Sequence, residues 1–181
     1  MMSALIRPER LDPMRWPWIP LMAGLAVAHA VEGVGLEPSL KWPNDVEISG
    51  QKLAGILVER VETKHGPAAV IGIGLNVAMS AEQLPVPDAT SLALHGVDAD
   101  RDDVLGLVLA SLASSYDLAT SDVGALRSSY VSACGTVGMK VSVSLPDGST
   151  LSGLATDVDT HGRLIVDGTP VTAGDVIHVR T

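Results

Sequence analysis

From Leu40 to Val77 the chain is a succession of short apolar runs cut by turn-forming residues, and that punctuation admits few folds. Pro43 keeps Leu40-Lys41-Trp42 extended, because a residue that precedes proline avoids the helical region. Asn44 and Asp45 follow as a turn. Val46–Ile48, the loop Ser49-Gly50-Gln51 and Lys52–Val61 then read as a β-hairpin. Lys64-His65-Gly66-Pro67 turns the chain into a third strand, Ala68–Val77. Strands joined by turns this short pair antiparallel.

Around this meander, Ser3–Arg7 reads as a strand ended by Pro8. Ile19–Val34 carries Leu21, Leu25, Ala28 and Val31 at helical spacing and is stopped by Gly33 and Gly35. A second helix is expected over Asp102–Leu118, capped by Asp100, with Leu105, Val108, Leu109 and Leu112 on one face. A shorter helix covers Val123–Ala133. After Gly135 the texture changes to short alternating runs, Met139–Leu145, Leu151–Val158, Leu164–Val166 and Val176–Val179, the pattern of a small β-barrel. The expectation is an α+β fold with a mixed, mainly antiparallel sheet over residues 1–134, followed by a β-module over 135–181.

At 181 residues the chain can bury roughly 70% of its unfolded surface. Twelve Lys and Arg against 21 Asp and Glu leave a net charge of −9, which repels polyanions. The absence of Phe and the 3% aromatic content offer no platform for stacked bases, so no nucleic-acid partner is expected. Cys134 is the single cysteine, which excludes an intrachain disulfide and a Cys-built zinc site and fits a reducing cytoplasm. The longest apolar stretch, Trp16–Val31, is broken by Pro17, Pro20 and His29, so no membrane span is expected.

Chemistry concentrates in fewer than forty residues: Lys41-Trp42-Pro43-Asn44-Asp45, then Lys52-Leu53-Ala54-Gly55-Ile56-Leu57-Val58-Glu59, then Gly72-Ile73-Gly74-Leu75-Asn76. Hairpin pairing can bring the Lys52 cation and the Asp45 carboxylate together, although spacing alone favours an ordinary surface salt bridge worth at most ~1 kcal/mol. Gly55 sits within a strand, where glycine often marks close approach of a ligand or another backbone. Gly72 and Gly74, two apart, leave one strand face bare, either as a floor for a flat group or as a seat for a helix. Asn76 continues that face with an amide able to read a polar ring edge. No third glycine opens a helix after Gly74, so this is not a dinucleotide fingerprint.

In order and spacing, these three segments resemble the biotin protein ligases, in which Lys-Trp-Pro-Asn-Asp precedes by seven residues the lysine of Lys-Leu-x-Gly-Ile-Leu-x-Glu, followed by Gly-x-Gly-x-Asn. The Asp88-Ala89-Thr90-Ser91-Leu92 loop and the β-module also look like the distal half of that family. The resemblance implies a catalytic domain of class II synthetase type, shared with lipoate ligases, and an SH3-like carboxy-terminal barrel. It implies a ligase that joins biotin to ATP as biotinyl-5'-AMP and then transfers biotin to a lysine of a carboxylase carrier domain. Lys52 and Asp45 would be catalytic, the first facing the biotin carboxylate and α-phosphate, the second orienting or deprotonating the carrier lysine. Gly55, Ile56 and Leu57 would line the biotin pocket over the Gly72 and Gly74 floor. Lys41 and Asn44 would support the phosphates, and Asn76 would hold the base. Mg²⁺ would arrive with the nucleotide, with no protein-built metal cage.

The family's upstream Ser-Thr-Asn stretch and Gly-Arg-Gly-Arg-type loop have no counterpart here, and Met1–Pro8 resembles the strand just after that loop. The expectation is therefore a chain truncated at its amino end relative to the family. The alternative reading is a weakly active or inactive homologue that only binds the carrier or forms a homodimer.

Overall fold

A computed structural model describes residues 1–179. Its first sheet has five strands: β1 (Met2–Ile6), β2 (Ser39–Lys41), β3 (Asp45–Ile48), β4 (Gln51–Thr63) and β5 (Gly66–Leu75). They lie in the order β1-β5-β4-β3-β2, with every neighbouring pair antiparallel. The expected mixed sheet is thus an antiparallel one, and its parallel contacts are two isolated bridges, Leu40 with Cys134 and Lys52 with Ala89. The β3–β4 loop is tighter than the three residues expected. Ser49 and Gly50 turn it with φ of 52° and 76°, the positive values that a type I′ hairpin needs and that match strand twist.

Helix α1 (Trp18–Gly33) lies on one face of this sheet and is buried almost all round. A helix without a polar face belongs inside a core, and small residues let this one sit close. A Cβ on Gly24 would be 3.5 Å from Leu40 and 3.8 Å from Ile56. Helices α2 (Arg101–Ser121) and α3 (Val123–Ala133) pack against α1. By length and composition alone α2 could cross a membrane. Its buried stripe is Val104, Val108, Leu112, Ser115 and Ala119, while Leu105 and Leu109 are exposed. The apolar face is therefore rotated from the one expected, because leucines surround this helix and periodicity does not single out a face.

The second sheet, order β10-β6-β7-β8-β9, comprises β6 (Lys140–Ser144), β7 (Thr150–Val158), β8 (Leu164–Val166), β9 (Thr169–Val171) and β10 (Asp175–His178). It is open. Among the described residues β9 and β10 end the sheet unpaired with each other, so no closed barrel is found. Closure needs strands long enough to tilt and stagger around an axis, and β8 and β9 have three residues each. One buried cluster runs through both sheets, from Trp18 and Val46 to Val143 and Val166. Two buried indoles stitch them: Trp18 Nε1 donates to Thr160 O at 2.9 Å and Trp42 Nε1 to Gly162 O at 3.0 Å. The last two residues of the expected β-module, 180 and 181, lie outside the described residues.

Candidate active site

The face of the first sheet opposite α1 carries the candidate site. Register places Lys41, Asp45, Gly55 and Gly74 in one row across β2, β3, β4 and β5, with Leu57 and Gly72 paired in the next. Lys52 joins this face through a bulge. Val46 pairs with Ala54 but Glu47 pairs with Lys52, so Leu53 is an extra residue and both Leu53 and Ala54 are buried. A bulge re-aims what precedes it. Here it turns Lys52 to the side of Gly55, where strict alternation would have sent it into the core with Ala54 and Ile56.

Lys52 Nζ then lies 2.6 Å from Asp45 Oδ1, with the lysine side chain 42% exposed and the aspartate 18%. Asp45 Oδ1 is buried and accepts no hydrogen bond, and the Lys52 ammonium is its charged neighbour. Gly55 makes room for the pair. A Cβ there would be 3.2 Å from Lys52 Cε, 3.3 Å from Nζ and 3.6 Å from Asp45 Oδ1. Gly72 and Gly74 leave the neighbouring surface bare, since a Cβ on either would meet nothing nearer than 3.5 Å. The amine and the two-glycine floor therefore adjoin.

The other expected residues divide. Leu57 is 63% exposed on the site face. Alternation turns the Ile56 side chain into the core, leaving backbone toward the site, and its N–H and C=O are taken by Asn44 O and Asn44 Nδ2. Asn44 thus locks the turn onto β4. Lys41 Nζ lies 3.9 Å from Glu47 Oε1. Burial raises the Glu47 pKa, against the opposing pull of Lys41. Asn76 Nδ2 donates to Thr90 O at 2.9 Å, so one amide proton is already used in scaffolding.

Thr90 belongs to a clamp that strand patterns do not reveal. Lys52 N–H donates to Asp88 O and Thr90 N–H to Lys52 O, both at 2.8 Å, so segment 88–90 runs along the start of β4. The Thr90 hydroxyl lies 2.9 Å from His95 Nε2. Buried Thr and Ser in a loop without alternation, Thr90 and Ser91, were the available signal. Among the described residues no group of three or more His, Cys, Asp and Glu side chains is placed to hold a metal ion.

The Lys52 cation therefore lies beside bare glycines on the face of an antiparallel sheet whose other face is backed by helices. The family model for the Biotin/lipoate A/B protein ligase family matches residues 2–76, which contain this whole row. The biotin–[acetyl-CoA-carboxylase] ligase of Mycobacterium tuberculosis is 38% identical over 188 residues, covering 99% of this chain and 69% of the relative. The chain belongs to the biotin protein ligase family. The bifunctional ligase/repressor BirA of Bacillus spizizenii is 31% identical over 92% of this chain, which spans 53% of that relative's length. The biotin protein ligase from Aquifex aeolicus in complex with biotin and ATP superposes with a TM-score of 0.79 at 26% identity, covering 99% of this chain and 77% of that one.

Proposed function

We propose that the chain acts as a biotin–carrier ligase. A biotin carboxylate oxygen attacks the α-phosphorus of ATP, and pyrophosphate leaves. The amine of a carrier-domain lysine then attacks the acyl carbon of biotinyl-5'-AMP. AMP leaves, and the amine's proton passes to a carboxylate or to water. The observation that supports this reading is the Lys52 ammonium held over Gly55 beside Asp45, with Gly74 next to it in register.

On that floor Lys52 is positioned to stabilise charge that grows first on the phosphoryl oxygens and then on the acyl oxygen, where a preorganised donor counts most. Asp45 anchors the ammonium from below and is the nearest carboxylate for the incoming amine. Leu57 and the Gly72–Gly74 surface would take the apolar body of biotin. The side-chain carbonyl of Asn76 would face the base, and Lys41 the phosphates. Mg²⁺ supplies charge neutralisation when it arrives on the nucleotide's phosphates. The names of the relatives from Mycobacterium tuberculosis and Paracoccus denitrificans point to an acetyl-CoA carboxylase carrier as acceptor. The same reading carries a cytoplasmic location, a homodimer, and an SH3-like carboxy-terminal module beginning at Gly135.

The test supplies biotin, MgATP and a biotin carrier domain and follows label on the carrier. The expected result is transfer by the unaltered chain, with Lys52→Ala slowing pyrophosphate exchange by about 10²–10³-fold while carrier binding persists. Carrier binding without any label would instead make the chain a non-catalytic carrier-binding homologue. Equal loss of exchange and carrier binding in Lys52→Ala would remove the role given to the lysine.

A further inference from the structure

We propose that Thr136 and His178, which lie in the carboxy-terminal segment and outside the site face, are positioning residues for the turn that presents Asn44 and Asp45. The role in turnover rests on the ligase reading; the role in holding the turn does not.

Trp42 lies between Lys41 and the Pro43-Asn44 turn, so whatever holds it sets the entry to Asp45. Both of its N–H groups are bonded to the carboxy-terminal segment. Its backbone N–H donates to Thr136 Oγ1 at 3.1 Å and its indole to Gly162 O at 3.0 Å. Thr136 is fully buried at 0% exposure, where an unsatisfied hydroxyl would be costly. Its oxygen also lies 3.0 Å from His178 Nε2.

One hydroxyl carries one proton. With the oxygen accepting from Trp42, a second lone pair and the proton remain, so the hydroxyl can pair with Nε2 in either tautomer of the imidazole. The His178 pKa is lowered by burial and by the nearby Lys41 ammonium, which agrees with a neutral ring. The chain of bonds runs from His178 through Thr136 to the Trp42 amide. Gly135 N–H, donating to Leu40 O at 2.9 Å, fastens the same segment to β2 on the other side of Lys41. Asn44 carries the constraint to β4 through its two bonds to Ile56, next to Gly55. The second sheet therefore grips the site turn through specific polar bonds as well as apolar packing.

Thr136→Val keeps the shape and removes the hydroxyl; Thr136→Ser keeps the hydroxyl. In ¹⁵N-labelled protein, Thr136→Val is expected to shift the amide resonances of Asn44, Asp45 and Gly55, and Thr136→Ser to restore them. In the biotin transfer assay the Val variant is expected to lose about tenfold in kcat with KM for biotin and ATP within twofold, as a misplaced turn would cause, again rescued by Ser. Should Thr136→Val not fold, His178→Asn, which withdraws the Nε2 partner, is read by the same resonances. Asn44, Asp45 and Gly55 signals that coincide with the unaltered chain, or equal shifts from Ser and Val, overturn the proposal. An unaltered chain that transfers no biotin defeats the ligase reading, while the resonances still decide this one.

Discussion

Lys52 and Asp45 form a half-exposed ion pair, and such pairs add little to stability, typically under ~1 kcal/mol. Their value is placement of charge, and Gly55 is what permits it. Gly55→Ala would put a methyl group 3.3 Å from Nζ, so the amine has to give by a few tenths of an ångström. The expected outcome is a loss of about tenfold in kcat with a nearly unchanged unfolding midpoint; retention of full activity would show that the amine's position is not critical. His178 has a signature of its own. Its folded pKa lies below the ordinary imidazole value of about 6.5, so between the two the unfolded chain binds more protons. Stability is therefore full above that value and is lost as pH falls through it toward the folded pKa. Glu47, raised by burial, works in the opposite sense at lower pH, where its protonation favours the folded state. Urea midpoints measured from pH 7.5 to 5 should fall with acidification, and less steeply in His178→Gln.

Helix α2 begins on Asp100, whose carboxylate accepts from the Asp102 and Asp103 amides at 2.8 and 3.3 Å. Asp100→Ala should cost ~1 kcal/mol of stability, read as a lower urea midpoint with unchanged slope. Buried α1 is less tolerant. Leu25→Ala opens a cavity where the helix meets its neighbours and should cost ~2–5 kcal/mol. Strands β3, β4 and β5 and helices α1, α2 and α3 were legible within a few residues, because short turn signals, the Asp100 cap and the Gly33 stop are local chemistry. The third strand begins at Gly66, two residues earlier than Ala68, since Lys64 and His65 alone make the turn. Strand β9, Thr169–Val171, was not read: three residues with a central proline carry too little alternation.

One buried cluster spans both sheets, with indole bonds from Trp18 and Trp42 across the junction. Urea unfolding followed by tryptophan fluorescence and by far-ultraviolet circular dichroism should therefore give coincident transitions. Two separated transitions would mean that the second sheet is an autonomous unit. The same junction explains how residues far along the chain, such as Thr136 and His178, come to touch the segment that holds the candidate site.

What could be read along the chain was everything that depends on neighbours in sequence: the antiparallel meander, the helices, and the residue types proposed for the site, Lys41, Asn44, Asp45, Lys52, Gly55, Ile56, Leu57, Gly72, Gly74 and Asn76. What needed the folded molecule was which way those residues face. Alternation assigns Lys52 to the core side. The extra residue Leu53, accommodated because β4 is zipped at its start to the 88–90 segment and at Leu53 O to Asn76 N–H, turns it to the site. A bulge is a compromise between pairings with two partners at once, and a linear pattern holds no record of the second partner.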